Sequence, residues 1–456
     1  MATAAGVLGA AFLAALSPAA FPSDPLIPVV VVGTILVLGL AVVRPMAVVA
    51  AGVLVIPLEG FIGGSPIGPS QALLGAAAIG WLIGWVATRP RTLPSHPALA
   101  AFGLLVVATA AGLIFAPEPL IVGRQVATWG VLFVVAAAIA KTQGGPEVRT
   151  LLLAFAACGG LAGMIAVLGV EPSTVAFGGY VDPDRAEAGL GSPNALGVLL
   201  AMALPVQLMF VFRGTSVVRA LALACVAFSL VGMTLAVSRG SFIGLAAAIV
   251  VLVLWAPFRR WALALVPILL LFLLAGSNPV ASILDQEIVD RLAEIKGSGG
   301  NNPRLVLWEA APKMVEDHPA FGVGALEFGY HAGEYGIGAS PAAPNHAHST
   351  PLTIAAELGL VGLAAFVALA FFVGVGLQRA IRFASEDAQA MGYALAASFT
   401  VLLVSGMLDY VLGAPPMAAA AFVLVGCAVS LALGVERSAV EERGAGLAPS
   451  LEPGTA

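Results

Sequence analysis

The sequence predicts an all-α polytopic membrane bundle, and three observations carry that prediction. Hydrophobic residues make up 60% of the 456 positions and charged residues 10%, against about 45–50% and about 25% in soluble domains. Continuous apolar runs of about 18–20 residues, enough for a bilayer core of roughly 30 Å, recur along the chain. They do not alternate, so they read as helices rather than barrel strands. One long polar stretch, 277–350, interrupts them.

In chain order, spans are expected near 3–20, 26–43, 45–58, 70–87, 98–115, 121–140, 150–169, 194–212, 219–237, 241–257, 261–276, 351–377, 391–409 and 416–434. That makes about 14, with 12 or 13 as alternatives, because 45–58 is short enough to be re-entrant. The first run has no basic segment before it and reads as a span rather than a cleaved signal peptide. The chain thus divides into N-terminal helices (1–276), a loop (277–350), C-terminal helices (351–434) and a tail (435–456). The tail is charged and then Gly/Pro-rich, and is expected to be disordered.

Loop charge sets the expected orientation. One side collects Arg44, Arg89, Arg91, Lys141, Arg149, Arg213, Arg219, Arg259, Arg260, Arg379, Arg382, Arg437 and Arg443. The other holds Arg124, Arg185, Arg239, Arg291, Lys296, Arg304 and Lys313. The first side is therefore expected to be cytoplasmic, with both termini and the tail, and the long loop extracytoplasmic. The net charge of −5 says nothing in favour of nucleic acid. Cys158, Cys225 and Cys427 lie inside apolar runs without zinc spacing and read as packing residues.

Outward arginines near helix ends run against the positive-inside tendency and invite an explanation. Arg185 lies between two spans, Arg304 in the long loop, and Arg239 in a turn so short that it must sit at the bilayer interface. A guanidinium grips phosphate bidentately and keeps its charge, so the three suit a lipid-linked phosphate or diphosphate. The plainer reading makes them surface arginines, or partners of Asp182, Asp184 or Glu309. It is weakest for Arg239, since charge near the membrane is costly unless used.

Of five histidines, His318, His331, His346 and His348 lie in the long loop, and His96 elsewhere. Imidazole suits proton transfer near neutral pH. His348 precedes the next helix by so little that it must lie at the membrane surface, where a base could deprotonate an attacking sugar hydroxyl. His346 and His348 form an H-x-H pair, but a metal would need further ligands, with only Glu327, His331 and Glu334 nearby in sequence. His318, before Pro319, reads as a turn residue. Asp182-Pro183-Asp184 resembles a cation-holding D-x-D element, although two carboxylates around a proline also describe a turn. Gly322-x-Gly324 is too short for a dinucleotide fingerprint.

Several of these residues fall into one pattern. The chain shows Arg304-x-x-x-Trp308, Asp317-His318-Pro319-x-x-Gly322-x-Gly324, His348-Ser349 and Glu357-Leu358-Gly359-x-x-Gly362. Upstream it has Arg185-x-x-x-Gly189, Pro193-Asn194 and Ser238-Arg239-Gly240. Together these resemble the bacterial O-antigen ligase and O-antigen polymerase family, across roughly Arg185 to Gly362. Ser349 departs from the usual asparagine, and two extra N-terminal spans depart from a twelve-helix layout.

The resemblance implies a glycosyltransferase of the cytoplasmic membrane, working on its outer face without metal or cofactor. The donor would be a glycan on undecaprenyl diphosphate. The acceptor would be a lipid A core, a growing glycan, a protein or another envelope molecule. Residue by residue, Arg185 and Arg239 would hold the diphosphate and His348 would be the base. Arg304 would support donor or acceptor, and Trp308, His346, Asn194 and Glu357 would line the substrates. Glu357, about two turns into its helix, could hold the His348 ring. The rival class is a transporter or flippase of a lipid-linked or anionic substrate. Against it stand the absence of a visible internal repeat or of paired broken helices, and a loop of about 70 residues that transport does not need.

Overall fold

A computed structural model describes residues 26–61, 67–88, 94–170, 185–255, 257–259, 303–336 and 346–446. The spans expected at 3–20 and 261–276, and the Asp182-Pro183-Asp184 turn, lie outside the described residues.

Among the described residues the regular elements are all helical. They are α1 (Leu26–Val43), α2 (Pro45–Leu54), a 3-10 turn (Ile56–Phe61), α3 (Pro69–Thr88), α4 (Pro97–Ala111), α5 (Pro119–Ala140), α6 (Pro146–Val167) and α7 (Pro193–Arg213). After these come α8 (Ser216–Ala236), α9 (Arg239–Val253), α10 (Pro303–Asp317), α11 (Phe328–His331), α12 (Thr350–Phe383), α13 (Glu386–Gly406) and α14 (Pro415–Gly446). Eight of them open on proline, whose fixed φ suits the first helical position, where the missing N–H would have no intrahelical partner. Nine described helices are long and apolar enough to cross a membrane; α2 and α9 are shorter. The chain is a polytopic helical bundle.

The segment at 45–58 is a ten-residue helix that breaks into the Ile56–Phe61 turn. The α7 and α14 helices are the most enclosed; α7 packs on α6, α8, α9 and α13. The tail differs from expectation. The α14 helix runs through 435–446, because its charges find partners: Arg379 with Glu436 at 2.8 Å and Arg437 with Glu441 at 2.8 Å. Paired charge four residues apart supports a helix that composition alone does not reveal.

A second, small core lies on top of the bundle. Leu307, Ala310, Ala311 and Met314 of α10 meet Val323, Phe328 and Ala332 of the following loop, and Ala356 of α12. This cap is fastened at a break in α12, where Gly359 has φ 64° and ψ −167°. The backbone groups released there are taken up by the loop. Val323 and Gly324 N–H donate to the carbonyls of Ala356 and Glu357, both at 2.9 Å. In return Leu360 and Val361 N–H donate to Pro319 and Ala320 carbonyls at 2.8 and 3.2 Å. A Cβ on Gly322 would lie 2.4 Å from Ala356 O, and one on Gly359 2.4 Å from Ala320 C. The His-Pro-x-x-Gly-x-Gly and Glu-Leu-Gly elements are thus two halves of one clamp.

Candidate active site

The site forms where the ends of α7, α8, α9, α12 and α13 meet beneath the cap. The α8 helix ends at Ala236 and α9 starts at Arg239. The turn between them has Val237 in the left-handed region, φ 46°. Arg185 satisfies the carbonyls at that helix end: its Nε and Nη2 donate to Ala236 O at 3.0 and 2.9 Å, and Nη2 to Val237 O at 3.2 Å. The loop carrying Arg185 is pinned through Gly60 N–H donating to Gly189 O at 2.9 Å. Gly189 has φ +74°, and a Cβ there would lie 2.6 Å from Pro57 O, so the spacing Arg185-x-x-x-Gly189 is a packing requirement.

A hydrogen-bonded chain runs from that arginine to the histidine. Arg185 Nη2 donates to Asn194 Oδ1 at 3.1 Å, and Asn194 Nδ2 donates to Asp409 Oδ2 at 2.6 Å. The other carboxylate oxygen of Asp409 meets His348 Nδ1 at 3.0 Å. Burial by itself would raise the Asp409 pKa. The His348 hydrogen bond, the charges of His346 and His348 and the Tyr410 N–H outweigh it and hold the carboxyl at about 2. An ionised Asp409 makes Nδ1 of His348 the protonated nitrogen, leaving a lone pair on Nε2. His348 itself has φ 49°, a conformation that costs a non-glycine residue about 1–3 kcal/mol and is found where neighbours over-determine it.

Those neighbours are visible. His348 N–H donates to His346 Nδ1 at 3.1 Å, and Ala347 N–H to Thr353 Oγ1 at 3.1 Å. Trp308 of α10 donates its indole N–H to Ala347 O at 3.0 Å. His346 stacks edge-on against His348 and Tyr410, with centroids 4.4 and 5.6 Å away. Burial is the main cause that lowers its pKa, to about 4, so it is neutral near pH 7. Arg304 donates to Leu408 O at 3.0 Å, and its charge acts on both His346 and Arg239. Arg239 also feels Arg185; it is exposed and makes no hydrogen bond or ion pair among the described residues.

The structure thus brings Arg185, Arg239, Arg304, His346, His348 and Asn194 together. Glu357 is placed otherwise: it is 1% exposed and accepts the N–H groups of Leu326 and Phe328 inside the clamp. The hold on His348 expected of Glu357 comes from Asp409. Trp308 holds the histidine loop through its indole N–H. Asp409 was hidden at the end of an apparently ordinary span; an ionisable residue closing an apolar run was the available signal. His331 pairs with Glu334 at 3.1 Å and Glu327 accepts Glu118 N–H at 3.0 Å, so neither completes an H-x-H metal set. Among the described residues the group with metal-compatible spacing is His346, His348 and Asp409, whose donor atoms lie within 4.8 Å of one another. His346 Nδ1 and both Asp409 oxygens are already engaged, and the nearby arginines disfavour a cation.

The O-antigen ligase family model matches residues 224–367. The matched stretch holds Arg239, Arg304, Trp308, His346, His348 and Glu357, whereas Arg185, Asn194 and Asp409 join the site through geometry. No curated protein matches the chain. The match supports the O-antigen ligase family and, with the apolar helices, a multi-pass membrane protein with a glycan-transferring activity of that general type.

Proposed function

We propose that the chain moves a glycan from undecaprenyl diphosphate to a hydroxyl on an envelope acceptor, with inversion and without a metal. The observation that carries this reading is the chain Arg185–Asn194–Asp409–His348 set beside Arg239 and Arg304. The diphosphate of the donor lies against the arginines, whose fixed positive charge stabilises the negative charge that grows as it leaves. The acceptor hydroxyl gives its proton to Nε2 of His348, while Asp409 stabilises the resulting imidazolium. The new bond forms between the acceptor oxygen and the anomeric carbon as the bond to the phosphate oxygen breaks. Attack opposite the departing diphosphate inverts the anomeric centre. The acceptor is a lipid A core, a growing glycan or a protein, and the site faces outward from the cytoplasmic membrane of a bacterium.

The test is reconstitution of the full chain in vesicles with a polyprenyl-diphosphate glycan and candidate acceptors. Transfer by the native chain and none by His348→Ala is the expected result. Translocation of the donor without transfer, unaffected by His348→Ala, would replace an enzyme with a transporter. Orientation is tested by Lys313→Cys in the exposed part of α10 on a Cys225→Ser background, since Cys158 and Cys427 are buried and Cys225 only partly so. Labelling from outside intact spheroplasts is expected, and labelling only after permeabilisation would reverse the sidedness.

A further inference from the structure

A cavity of about 390 Å³ lies between α9, α12, α13 and α14, within the roughly 300–1,000 Å³ range of small-molecule sites. Its walls are aliphatic and aromatic, with Leu369, Val373, Leu377, Phe399 and Phe422 among them. Polar groups gather at one end, where Gln378 and Arg382 of α12 and Tyr393 of α13 line it. Arg382 stands 34 residues beyond His348, so the polar end belongs to the face of the bundle away from the site. Towards the site a separate cleft of about 10 Å³ lies beside Thr350 and Gly406, sharing Phe366, Leu402, Leu403 and Leu412 with the cavity wall. Thr350 Oγ1, on the wall of that cleft, donates to Asp409 O at 3.0 Å.

The two arginines near the end of α12 differ. Arg379 is held by Glu436 at 2.8 Å. Arg382 is exposed and has no hydrogen bond or ion pair among the described residues. Arginines at a membrane face are common, but this one overhangs an apolar cavity. Gly374 and Gln378, also lining residues, are exposed on the flank of α12, so the space opens sideways. An occupant must therefore be an aliphatic chain ending in an anion, entering from the face away from the site. A donor chain threaded from the diphosphate would have to pass the small cleft beside Thr350.

We propose that this cavity binds one acyl chain of an anionic glycerophospholipid, with the lipid phosphate on Arg382. Aliphatic contact retains the chain, and the guanidinium selects the charged headgroup. The site is separate from the catalytic one, and its test requires no turnover.

The full chain, purified and delipidated in detergent, is titrated with dipalmitoyl phosphatidylglycerol and with matched phosphatidylcholine, and occupancy is read by native mass spectrometry. Preferential retention of phosphatidylglycerol is expected, weakened roughly five- to tenfold in Arg382→Ala, as for loss of one lipid-facing charge. Gly374→Leu should abolish it for both lipids. A Cβ at that position meets nothing within 4 Å, and leucine favours a helix over glycine, so this variant is expected to fold. Equal retention of the two lipids, or binding unchanged in both variants, would overturn the proposal. Displacement of phosphatidylglycerol by undecaprenyl phosphate that survives Arg382→Ala would overturn it too, by assigning the cavity to the donor chain.

Discussion

At the end of the bundle away from the site, three arginines meet carboxylates, while Arg149 and Arg259 donate to main-chain carbonyls and Arg382 has no ion pair among the described residues. Arg213 pairs with Glu386 at 3.0 Å and Asp387 at 3.9 Å, and Arg379 and Arg437 each have a glutamate at 2.8 Å. Those glutamates are largely exposed, 81% for the side chain of Glu386, and such pairs contribute about 0–1 kcal/mol. At the site end, Arg185 and Arg304 are anchored on main-chain carbonyls at the ends of α8 and α13. A neutral carbonyl orients a guanidinium, though less firmly than a carboxylate does, and itself cancels none of the charge. What sets the site end apart is that Arg185 and Arg304 both lie close enough to act on Arg239. A membrane protein accepts such a gathering of like charge where an anion is to be received.

The sharpest break between the ends is expected at His348. His348→Gln keeps bulk and some hydrogen bonding but has no basic nitrogen, so transfer should fall by about 10²–10⁴ while donor binding survives. Turnover within a few-fold of native would remove His348 as the base. Next in size is Arg239, the least engaged of the three site arginines. Arg239→Ala should lower transfer by about 10²–10³, with lysine rescuing poorly because it lacks the bidentate fork. The matched control at the opposite end, Arg213→Ala, should leave the rate within about twofold, as expected of an exposed pair. Equal losses in the two variants would erase the distinction between the two ends.

Asp409 comes third. Asp409→Asn retains shape and the link to Asn194 but no longer fixes the protonated nitrogen of His348, and a loss of about 10² is expected. The pH profile separates positioning from mere packing. The folded-state pKa of Asp409 is depressed to about 2, so the stability it contributes is complete above the ordinary aspartate value of about 3.9 and is lost only as pH falls through about 2. His346 titrates at about 4. A fall in the native rate between roughly pH 7 and 5 therefore belongs to neither group. In Asp409→Asn that limb should move, because the partner that stabilises the imidazolium is gone. A lower rate with an unmoved limb would make Asp409 purely structural.

What could be read from the chain differs between the same regions. Hydropathy located the helices from α3 to α9 and from α12 to α14 within a few residues, since twenty apolar residues in lipid have one solution. It erred at 435–446, where Arg379 and Gln143, distant in sequence, hold the helical tail through Glu436 and Arg437. At the site, residue chemistry singled out the three arginines and His348. It missed Asp409 because one carboxylate after an apolar run looks like a span boundary until folding places it 3.0 Å from an imidazole 61 residues upstream. Glu357 shows the opposite case: proximity in sequence suggests contact with His348, and the break at Gly359 turns its helix segment into the clamp.

The smallest expected effect concerns metal. His346, His348 and Asp409 have the spacing of a two-histidine, one-carboxylate set, a set that elsewhere holds divalent metals. Here His346 Nδ1 accepts the N–H of His348, one Asp409 oxygen takes the His348 ring and the other takes Asn194 at 2.6 Å. A cation would have to break two or more of these bonds while repelled by the charges of Arg185, Arg239 and Arg304. In the proposed mechanism those arginines supply the positive charge a departing diphosphate needs. EDTA should therefore change the transfer rate by less than about twofold, as should added manganese or zinc. Activity lost in EDTA and restored by one of these ions, with the loss absent in His346→Ala, would make the cluster a metal centre and turn Asp409 from a positioning residue into a ligand.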